Sequence, residues 1–231
     1  MGPRLSYDCL WPTHKRTPMD TNKDLIENGI VLIVEDDDSL RQAIALALKV
    51  RGFDYLEFDN ARDVSVVLGK GSISKPTCML LDIRLGGGPS GISVFDEING
   101  LGLTERIPVI FMTGHGDLET AVEVMRTGAF DFVTKPFSTP ELIKKIESAL
   151  TDSASANRRQ TEVTKIRTLT DQLTDKEREV MRLMIAGKTN REIAELCGNS
   201  TRTVELHRAR IFDKLEVSNA VELVRVLGVI D

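Results

Sequence analysis

The stretch Val31-Leu32-Ile33-Val34-Glu35-Asp36-Asp37-Asp38 joins four apolar residues directly to four acidic ones. A short, continuous apolar run of this kind is typical of a strand that is buried on both faces of a parallel sheet. Residues 39–51 then carry apolar side chains at helical spacing, and Gly52 follows as a helix stop. This part of the chain therefore predicts a buried strand, an acidic loop and a helix, in that order.

The pattern of a strand followed by a helix continues to about residue 150. The predicted strands are residues 31–34, 55–58, 78–81, 109–112 and 130–133. Later helices include residues 118–126 and one that begins with the capping box Ser138-Thr139-Pro140-Glu141. Five such units predict an α/β fold with a doubly wound, five-stranded parallel sheet.

Composition excludes several classes of protein. Of the 231 residues, 41% are hydrophobic and 28% are charged, which is ordinary for a globular protein and excludes disorder along the whole length. No apolar run approaches the ~18 residues of a membrane helix, so no membrane partner is expected. The three cysteines, Cys9, Cys78 and Cys197, are scattered, which favours a reducing compartment over a disulfide framework or a zinc site.

Charge and pattern divide the chain into two folded parts. Residues 1–157 carry a net charge of −7 and residues 158–231 carry +2, which together give the net charge of −5. We predict a flexible leader, an α/β domain, a polar linker and a small all-α domain at residues 1–28, 29–150, 151–168 and 169–231. Within the leader, Met19 is a candidate start of translation.

The last part of the chain has a purely helical pattern. The capping boxes Thr174-Asp175-Lys176-Glu177 and Thr189-Asn190-Arg191-Glu192 each open a helix with apolar periodicity. Gly187 and Gly198 end these helices. Two further helices are predicted at residues 201–215 and 219–227.

Charged and polar side chains follow the predicted strands at one edge of the sheet. Glu35 and Asp36 follow the first strand, Asp82 the third, Thr113 the fourth and Lys135 the fifth. Ligands of open parallel sheets bind at this edge, and carboxylate oxygens suit Mg²⁺. A carboxylate can also accept a phosphoryl group as an acyl phosphate. Any one of these acids could simply cap a helix, but together they predict a site for Mg²⁺ and phosphate.

Four segments of this α/β region, in the same order, resemble the receiver domain of two-component response regulators. They are Val31-Leu32-Ile33-Val34-Glu35-Asp36-Asp37-Asp38, Leu80-Leu81-Asp82-Ile83-Arg84-Leu85, Met112-Thr113-Gly114-His115-Gly116 and Phe132-Val133-Thr134-Lys135-Pro136-Phe137. The resemblance covers about residues 29–150 and implies that the predicted sheet is of the flavodoxin-like type. It implies that a sensor histidine kinase transfers a phosphoryl group to this domain.

The resemblance implies a role for each residue of the predicted pocket. Asp82 becomes the phosphoacceptor, and Glu35 and Asp36 become the acidic pair that holds Mg²⁺ together with Asp82. The main-chain carbonyl of Arg84 becomes a further metal ligand. Two departures concern the same region: Glu35 stands where aspartate is usual, and the loop after Arg84 is one residue longer than the common pattern, with Gly86 in place of the usual proline.

Three more residues take roles from the same resemblance. Thr113 becomes the hydroxyl of the conformational switch and Phe132 its aromatic partner. Lys135 becomes the phosphate-pairing lysine, and its peptide bond to Pro136 is expected to be cis.

Among other classes of protein, a haloacid-dehalogenase-like phosphatase needs a second acid two residues after its nucleophile, where this chain has Arg84. An Mg²⁺-dependent phosphatase-like enzyme is kept as a rival hypothesis.

The helical region has the arrangement of a helix-turn-helix, with helices at residues 190–197 and 201–215 around the turn Gly198-Asn199-Ser200. The second helix is the candidate for the DNA major groove. The predicted DNA-binding residues are Lys188, Arg191, Arg202, Thr203, Glu205, Leu206, Arg208, Ala209 and Arg210. From spacing and charge alone, an ordinary helical bundle with a solvated face is equally consistent.

Four segments resemble the LuxR/FixJ-type DNA-binding domain, over about residues 169–231. They are Leu173-Thr174-Asp175-Lys176-Glu177-Arg178-Glu179, Gly187-Lys188-Thr189-Asn190-Arg191-Glu192-Ile193-Ala194, Ser200-Thr201-Arg202-Thr203-Val204-Glu205-Leu206-His207-Arg208-Ala209-Arg210-Ile211 and Lys214-Leu215-Glu216-Val217. With the receiver in front, the chain resembles a response regulator of the FixJ/NarL type. That family consists of cytoplasmic transcription factors and not of enzymes.

The family resemblance implies partners. They are double-stranded DNA, RNA polymerase, a sensor histidine kinase and a second copy of the chain after phosphorylation. Val221, Val224 and Leu227, at spacings of three in the last helix, could form a dimer contact. A receiver-type relay whose helical domain binds protein rather than DNA is the alternative.

Overall fold

A computed structural model describes residues 29–69, 75–86, 89–114 and 118–228 of the chain. The chain divides into two compact units, with the boundary after Ala154. The predicted leader, residues 1–28, lies outside the described residues. Among the described helices, none has the length and apolar character needed to cross a membrane.

The first unit alternates strands with helices as predicted. Its strands are β1 (Ile30–Val34), β2 (Asp54–Phe58), β3 (Thr77–Asp82), β4 (Val109–Thr113) and β5 (Asp131–Thr134). Its helices are α1 (Asp38–Val50), α2 (Ala61–Gly69), α3 (Gly91–Gly100), α4 (Leu118–Arg126) and the beginning of α5 (Thr139–Asp171). Each predicted strand agrees with the observed one to within a residue at either end.

The strands form a five-stranded sheet in the order β2-β1-β3-β4-β5, and all neighbours are parallel. This is the flavodoxin-like order of a doubly wound fold. Every residue of β1, β3 and β4 is buried, as their continuous apolar sequences predict. Helices α1 and α5 contribute to the apolar cluster on one face of the sheet, and α2, α3 and α4 contribute to the cluster on the other.

Helix α5 continues through the segment predicted as a linker, residues 151–168. No glycine or proline interrupts the sequence from Glu141 to Asp171, so nothing in the backbone forces the helix to stop. Within the first unit, the buried hydroxyl of Ser153 accepts a hydrogen bond from the Thr77 N–H at 2.8 Å and donates one to the Arg106 carbonyl at 2.5 Å. These two bonds tie the helix to the amino-terminal edge of the sheet.

Besides the end of α5, the described part of the second unit contains four helices, and the two predicted capping boxes open the first two of them. They are α6 (Asp175–Ile185), α7 (Asn190–Cys197), α8 (Thr201–Lys214) and α9 (Ala220–Leu227). Both boxes are complete, because Thr174 and Thr189 each exchange hydrogen bonds with the glutamate three residues later. Gly187 and Gly198 have φ values of 74° and 63°, the left-handed backbone expected of the predicted helix stops.

Glu177 anchors the second unit through an almost completely buried carboxylate. It accepts a hydrogen bond from Lys214 Nζ at 2.6 Å, in addition to the capping bonds from Thr174. The hydrogen bond from Lys214 lowers the pKa of Glu177 to about 2, and burial opposes the shift only in part. The ion pair therefore stays intact near neutral pH and joins α6 to α8.

At Gly91, the first residue of α3, the backbone of β3 leaves no room for a side chain. A Cβ atom there would lie 1.9 Å from the Asp82 carbonyl oxygen and 2.9 Å from the carbonyl carbon, both in the backbone of β3. We predict that Gly91→Ala destabilises the protein by about 2 kcal/mol or more, because backbone must shift to admit the methyl group. Urea unfolding measures the change.

Gly100→Ala is the matched control, since Gly100 ends the same helix and a Cβ atom there would meet no heavy atom within 4 Å. This variant should retain or slightly increase stability, because alanine favours a helix more than glycine does. Equal stability of the two variants would contradict the close approach of α3 to β3.

Candidate functional site

The acidic residues predicted to form the pocket lie together at the carboxyl edge of the sheet. Strands β1 and β3 are neighbours, and Val34 pairs with Leu81, so Glu35 and Asp82 occupy adjacent positions at the strand ends. One carboxylate oxygen each from Glu35, Asp36 and Asp82 lies within 4.8 Å of the other two. Glu35 and Asp82 are buried, whereas Asp36 is exposed, which leaves the cluster open on one side.

Lys135 brings a positive charge to the two buried carboxylates. Its Nζ donates hydrogen bonds to Glu35 Oε2 at 2.6 Å and to Asp82 Oδ2 at 2.8 Å. The lysine follows β5, and its N–H donates to the Thr113 carbonyl at 2.7 Å, which continues the pairing of β4 with β5. The peptide bond from Lys135 to Pro136 is cis, as the family resemblance predicted.

The pKa values of Glu35 and Lys135 reflect both burial and this pairing. Burial raises the pKa of Glu35 to about 7, although the hydrogen bond from Lys135 opposes the shift. Burial acts to lower the pKa of Lys135, but its hydrogen bonds to Asp82 and Glu35 outweigh this effect and the pKa is raised. The lysine therefore stays charged near neutral pH. One ammonium faces three carboxyl groups, so the pocket has excess acidic character.

Backbone N–H groups also hold the carboxylates. The Arg84 N–H donates to Asp82 Oδ1 at 3.2 Å, and the Gly86 N–H donates to Asp36 Oδ2 at 3.0 Å. Arg84 was predicted to offer its carbonyl to a metal, and it lies in the loop directly after Asp82. The contact of Gly86 was not predicted. The available signal was the glycine itself, which stands where proline is usual.

Arg41 is a second residue near the pocket that the sequence analysis missed. Its guanidinium donates to the Glu35 carbonyl at 2.7 Å and pairs with Asp38, so it fixes the backbone of the acidic loop from the first turns of α1. The spacing of three residues from Asp38 is the signal that could have identified it, because residues three apart on a helix are neighbours.

The predicted switch residues lie close to this pocket. Thr113 ends β4, is fully buried, and donates its hydroxyl to the Gly114 carbonyl at 3.0 Å. Phe132 in β5 is half-buried and packs against the apolar cluster shared with α2, α3 and α4. The hydroxyl and the ring thus come from adjacent strands, with Thr113 at the rim.

The donor set fits Mg²⁺. This cation prefers a small number of carboxylates and fills its remaining positions with water or phosphate oxygens. Glu35, Asp36 and Asp82 supply hard oxygen ligands, and the exposed carboxylate of Asp36 lies at the open side of the cluster. The acidic excess over Lys135 supplies the electrostatic reason for a cation at this position.

In the second unit, α8 presents most of the predicted DNA-binding residues on one exposed face. Its buried face consists of Val204, Ile211 and the following Leu215. The exposed residues of the predicted set on this helix are Arg202, Glu205, Leu206, Ala209 and Arg210. The exposed apolar side chain of Leu206 between two arginines gives the face both apolar and cationic contacts.

The remaining predicted DNA-binding residues have partners within the protein. Thr203 shares a hydrogen bond with the Ser200 hydroxyl at 2.8 Å, and the Arg208 guanidinium lies 5.7 Å from the centre of the Phe212 ring. Lys188 pairs with Glu192 at 3.3 Å and Arg191 with Glu195 at 3.2 Å. These exposed pairs are weak and can exchange for phosphate contacts.

Both regions match known protein families. Residues 31–147 match the response regulator receiver domain, and residues 171–227 match the luxR family of bacterial regulatory proteins. The tetrathionate response regulatory protein TtrR of Salmonella typhimurium is 38% identical over 84% of this chain and 89% of its own length. The transcriptional regulatory protein FixJ of Azorhizobium caulinodans is 34% identical over 85% of this chain and 90% of its own.

Solved structures agree with the sequence matches. The response regulator StyR, at 32% identity, superposes with a TM-score of 0.75 over 87% of this chain and 98% of StyR. Full-length FixJ from B. japonicum, also at 32% identity, gives a TM-score of 0.51 over 87% of this chain and 97% of that protein. Domain content, sequence and structure therefore agree, and the chain belongs to the two-component response regulators of the FixJ/NarL type, transcription regulators that join a receiver domain to a LuxR-type helix-turn-helix domain.

Proposed function

We propose that this response regulator accepts a phosphoryl group on Asp82 from a sensor histidine kinase, with Mg²⁺ in the pocket, and in response binds DNA in the cytoplasm. The observation that carries the proposal is the convergence of Glu35, Asp36, Asp82 and Lys135, which the sequence spreads over about a hundred residues and the sheet brings together. A single acid at a strand end could simply cap a helix, but this group of side chains is what a site for Mg²⁺ and phosphate requires.

The proposed transfer is a displacement at phosphorus. A carboxylate oxygen of Asp82 attacks the phosphorus of a phosphohistidine, a P–O bond forms, and the P–N bond breaks with its electrons returning to the imidazole. Lys135 already contacts Asp82, so it can pair with a phosphate oxygen without a large movement. Mg²⁺, when bound, supplies further neutralisation of the phosphoryl charge. The buried position of Asp82 limits access of water to the acyl phosphate.

We infer that Thr113 and Phe132 convert the phosphate into a change of surface. The Thr113 hydroxyl would leave the Gly114 carbonyl for a phosphate oxygen, and the Phe132 ring would move into the space that opens. This repacks α4 and β5, a two-state element whose equilibrium one local charge can shift. The domain limits at residues 29–150, 151–168 and 169–231 belong to the same proposal.

We propose that α8 lies in the DNA major groove as the recognition helix. Its exposed face can address phosphates through Arg202 and Arg210 and thymine methyl groups through Leu206. In α9, Val221 and Val224 are 81% and 49% exposed, which supports a contact between two DNA-bound copies. We expect such a dimer to act on RNA polymerase. DNA binding is favoured over a protein-only relay because residues 171–227 match a family of DNA-binding regulators.

Replacement of the phosphoacceptor tests the chemistry. We predict that wild-type protein incubated with acetyl phosphate and Mg²⁺ gains one acid-labile phosphate, and that Asp82→Asn gains none, because the amide is not a nucleophile of comparable strength. Intact-mass spectrometry measures the gain. Asp96→Asn removes an exposed acid of α3 and should label as the wild type does. Labelling of the Asp82→Asn variant at another residue would refute the assignment.

Charge removal from α8 tests the DNA-binding surface. We predict that Arg202→Ala and Arg210→Ala each weaken binding to a genomic target by about tenfold, since each removes a contact to phosphate or to a base edge. Binding should also fall steeply with salt, because neutralised phosphates release counterions. Gel shifts at several salt concentrations measure both effects. Arg182→Ala, on the exposed surface of α6, is the matched control and should bind normally; equal losses in all three variants would argue for a nonspecific charge effect.

Oligomeric state tests the switch. We predict that a phosphodonor shifts the wild-type protein from monomer toward dimer and tightens DNA binding in parallel, whereas Thr113→Ala is labelled but shifts less, because it lacks the switch hydroxyl. Sedimentation velocity with and without phosphodonor measures the change. An unchanged sedimentation coefficient, together with DNA affinity that ignores phosphorylation, would contradict the proposed switch.

A further inference from the structure

The bond between Gly86 and Asp36 joins the loop after β3 to the acidic loop after β1. The Gly86 N–H donates to Asp36 Oδ2 at 3.0 Å, across a sequence separation of 50 residues. Both residues are exposed, so neither is held at this position by burial in the core. The hydrogen bond therefore fixes how the Asp36 carboxylate faces the pocket.

The absence of a side chain at Gly86 is required by this contact. A Cβ atom at Gly86 would lie 2.7 Å from Asp36 Oδ2 and 3.7 Å from its Cγ. The first distance is shorter than Cβ atoms tolerate, but the atom in the way is the end of an exposed side chain. A larger residue would thus move the carboxylate and leave the backbone of both loops in place. Proline, the residue usual at this position of the family, has no N–H to donate.

The same contact reaches the other predicted metal ligands. Arg84, whose carbonyl is a predicted ligand, lies two residues before Gly86, and its own N–H holds Asp82 Oδ1 at 3.2 Å. The backbone N–H groups of Arg84 and Gly86, two residues apart in the same loop, therefore hold the carboxylates of Asp82 and Asp36.

We propose that Gly86 is a positioning residue for the metal site: its amide orients the Asp36 carboxylate, and its missing side chain leaves the space that this carboxylate occupies. The inference rests on the proposed function, because it assigns Asp36 to Mg²⁺. The inference gives a physical role to the glycine that stands in this loop where proline is usual in the family. Outer contacts of this type commonly change metal affinity by ~10-fold or more when they are lost.

Calorimetric titration with Mg²⁺ alone, on the full-length protein, tests the inference. We expect Gly86→Ala to weaken Mg²⁺ binding by ~10-fold, while its melting temperature without Mg²⁺ stays close to that of the wild type. Gly100→Ala, a glycine replacement with no neighbour to disturb, should bind Mg²⁺ as the wild type does. Loss of the fold in Gly86→Ala would overturn the inference, since Asp36 was expected to give way.

A double variant shows whether Gly86 acts through Asp36. Asp36→Ala should weaken Mg²⁺ binding strongly, and adding Gly86→Ala to it should cause little further loss, because the carboxylate that Gly86 holds has gone. Independent, multiplying losses would overturn the inference. The single variant Asp36→Ala gives a further test by NMR. Its Gly86 amide proton resonance should lie upfield of that of the wild type, as expected when a charged hydrogen-bond acceptor is removed. An unmoved resonance would show that the bond does not form.

The outcomes also separate this inference from the function it rests on. Normal Mg²⁺ binding by both the wild type and Asp36→Ala would refute the metal site itself, and the role of Gly86 with it. Weak binding by Asp36→Ala together with normal binding by Gly86→Ala would leave the metal site standing and overturn only the positioning role.

Discussion

The pocket depends on the pair of hydrogen bonds that the Lys135 ammonium donates to Glu35 and Asp82. Removing a carboxylate from water costs several kcal/mol in a protein unless a partner compensates it, and here two carboxylates at adjacent strand ends are buried together. Without the lysine, burial and the nearby charge of Asp82 would raise the pKa of Glu35 further. Since Lys135 follows β5, the pocket needs the complete sheet order before it can exist.

Glu177 and Glu35 are both buried carboxyl groups that pair with a lysine, but the pairing compensates their burial to different extents. Glu177 has one lysine to itself and capping hydrogen bonds as well, so its pKa falls to about 2 and the pair serves only to hold α6 and α8 together. Glu35 shares its lysine with Asp82, and burial raises its pKa to about 7. The first carboxylate is fully compensated; the second is not, and such incompletely compensated groups are typical of functional sites.

The sequence predicts the sheet and the composition of the pocket, because both follow from patterns that act locally. Buried strands need continuous apolar runs, and parallel strands bring the residues at their carboxyl ends to one edge, so the sequence alone suffices to place Asp82 and Lys135 together. The contacts of Gly86 and Arg41 could not be placed, since they depend on how loops turn and side chains point. The continuous helix through residues 151–168 was not predicted, because we took the polar composition of this segment as the sign of a linker. Polar composition indicates that a segment contacts solvent, but it does not determine whether the backbone is helical.

The excess acidity of the pocket also explains how a small chemical change can have a large effect. Three carboxyl groups around one ammonium leave Lys135 divided between two partners, so a phosphoryl group on Asp82 would compete directly with Glu35 for the same donor. A receiver with a fully compensated pocket would gain little by rearranging around a phosphate. In the proposed switch, Lys135 would leave this incompletely compensated arrangement to pair with the phosphate, and the free energy of that pairing would be available to move Thr113 and Phe132. The incomplete compensation of the resting pocket would then be what makes the domain responsive to phosphorylation.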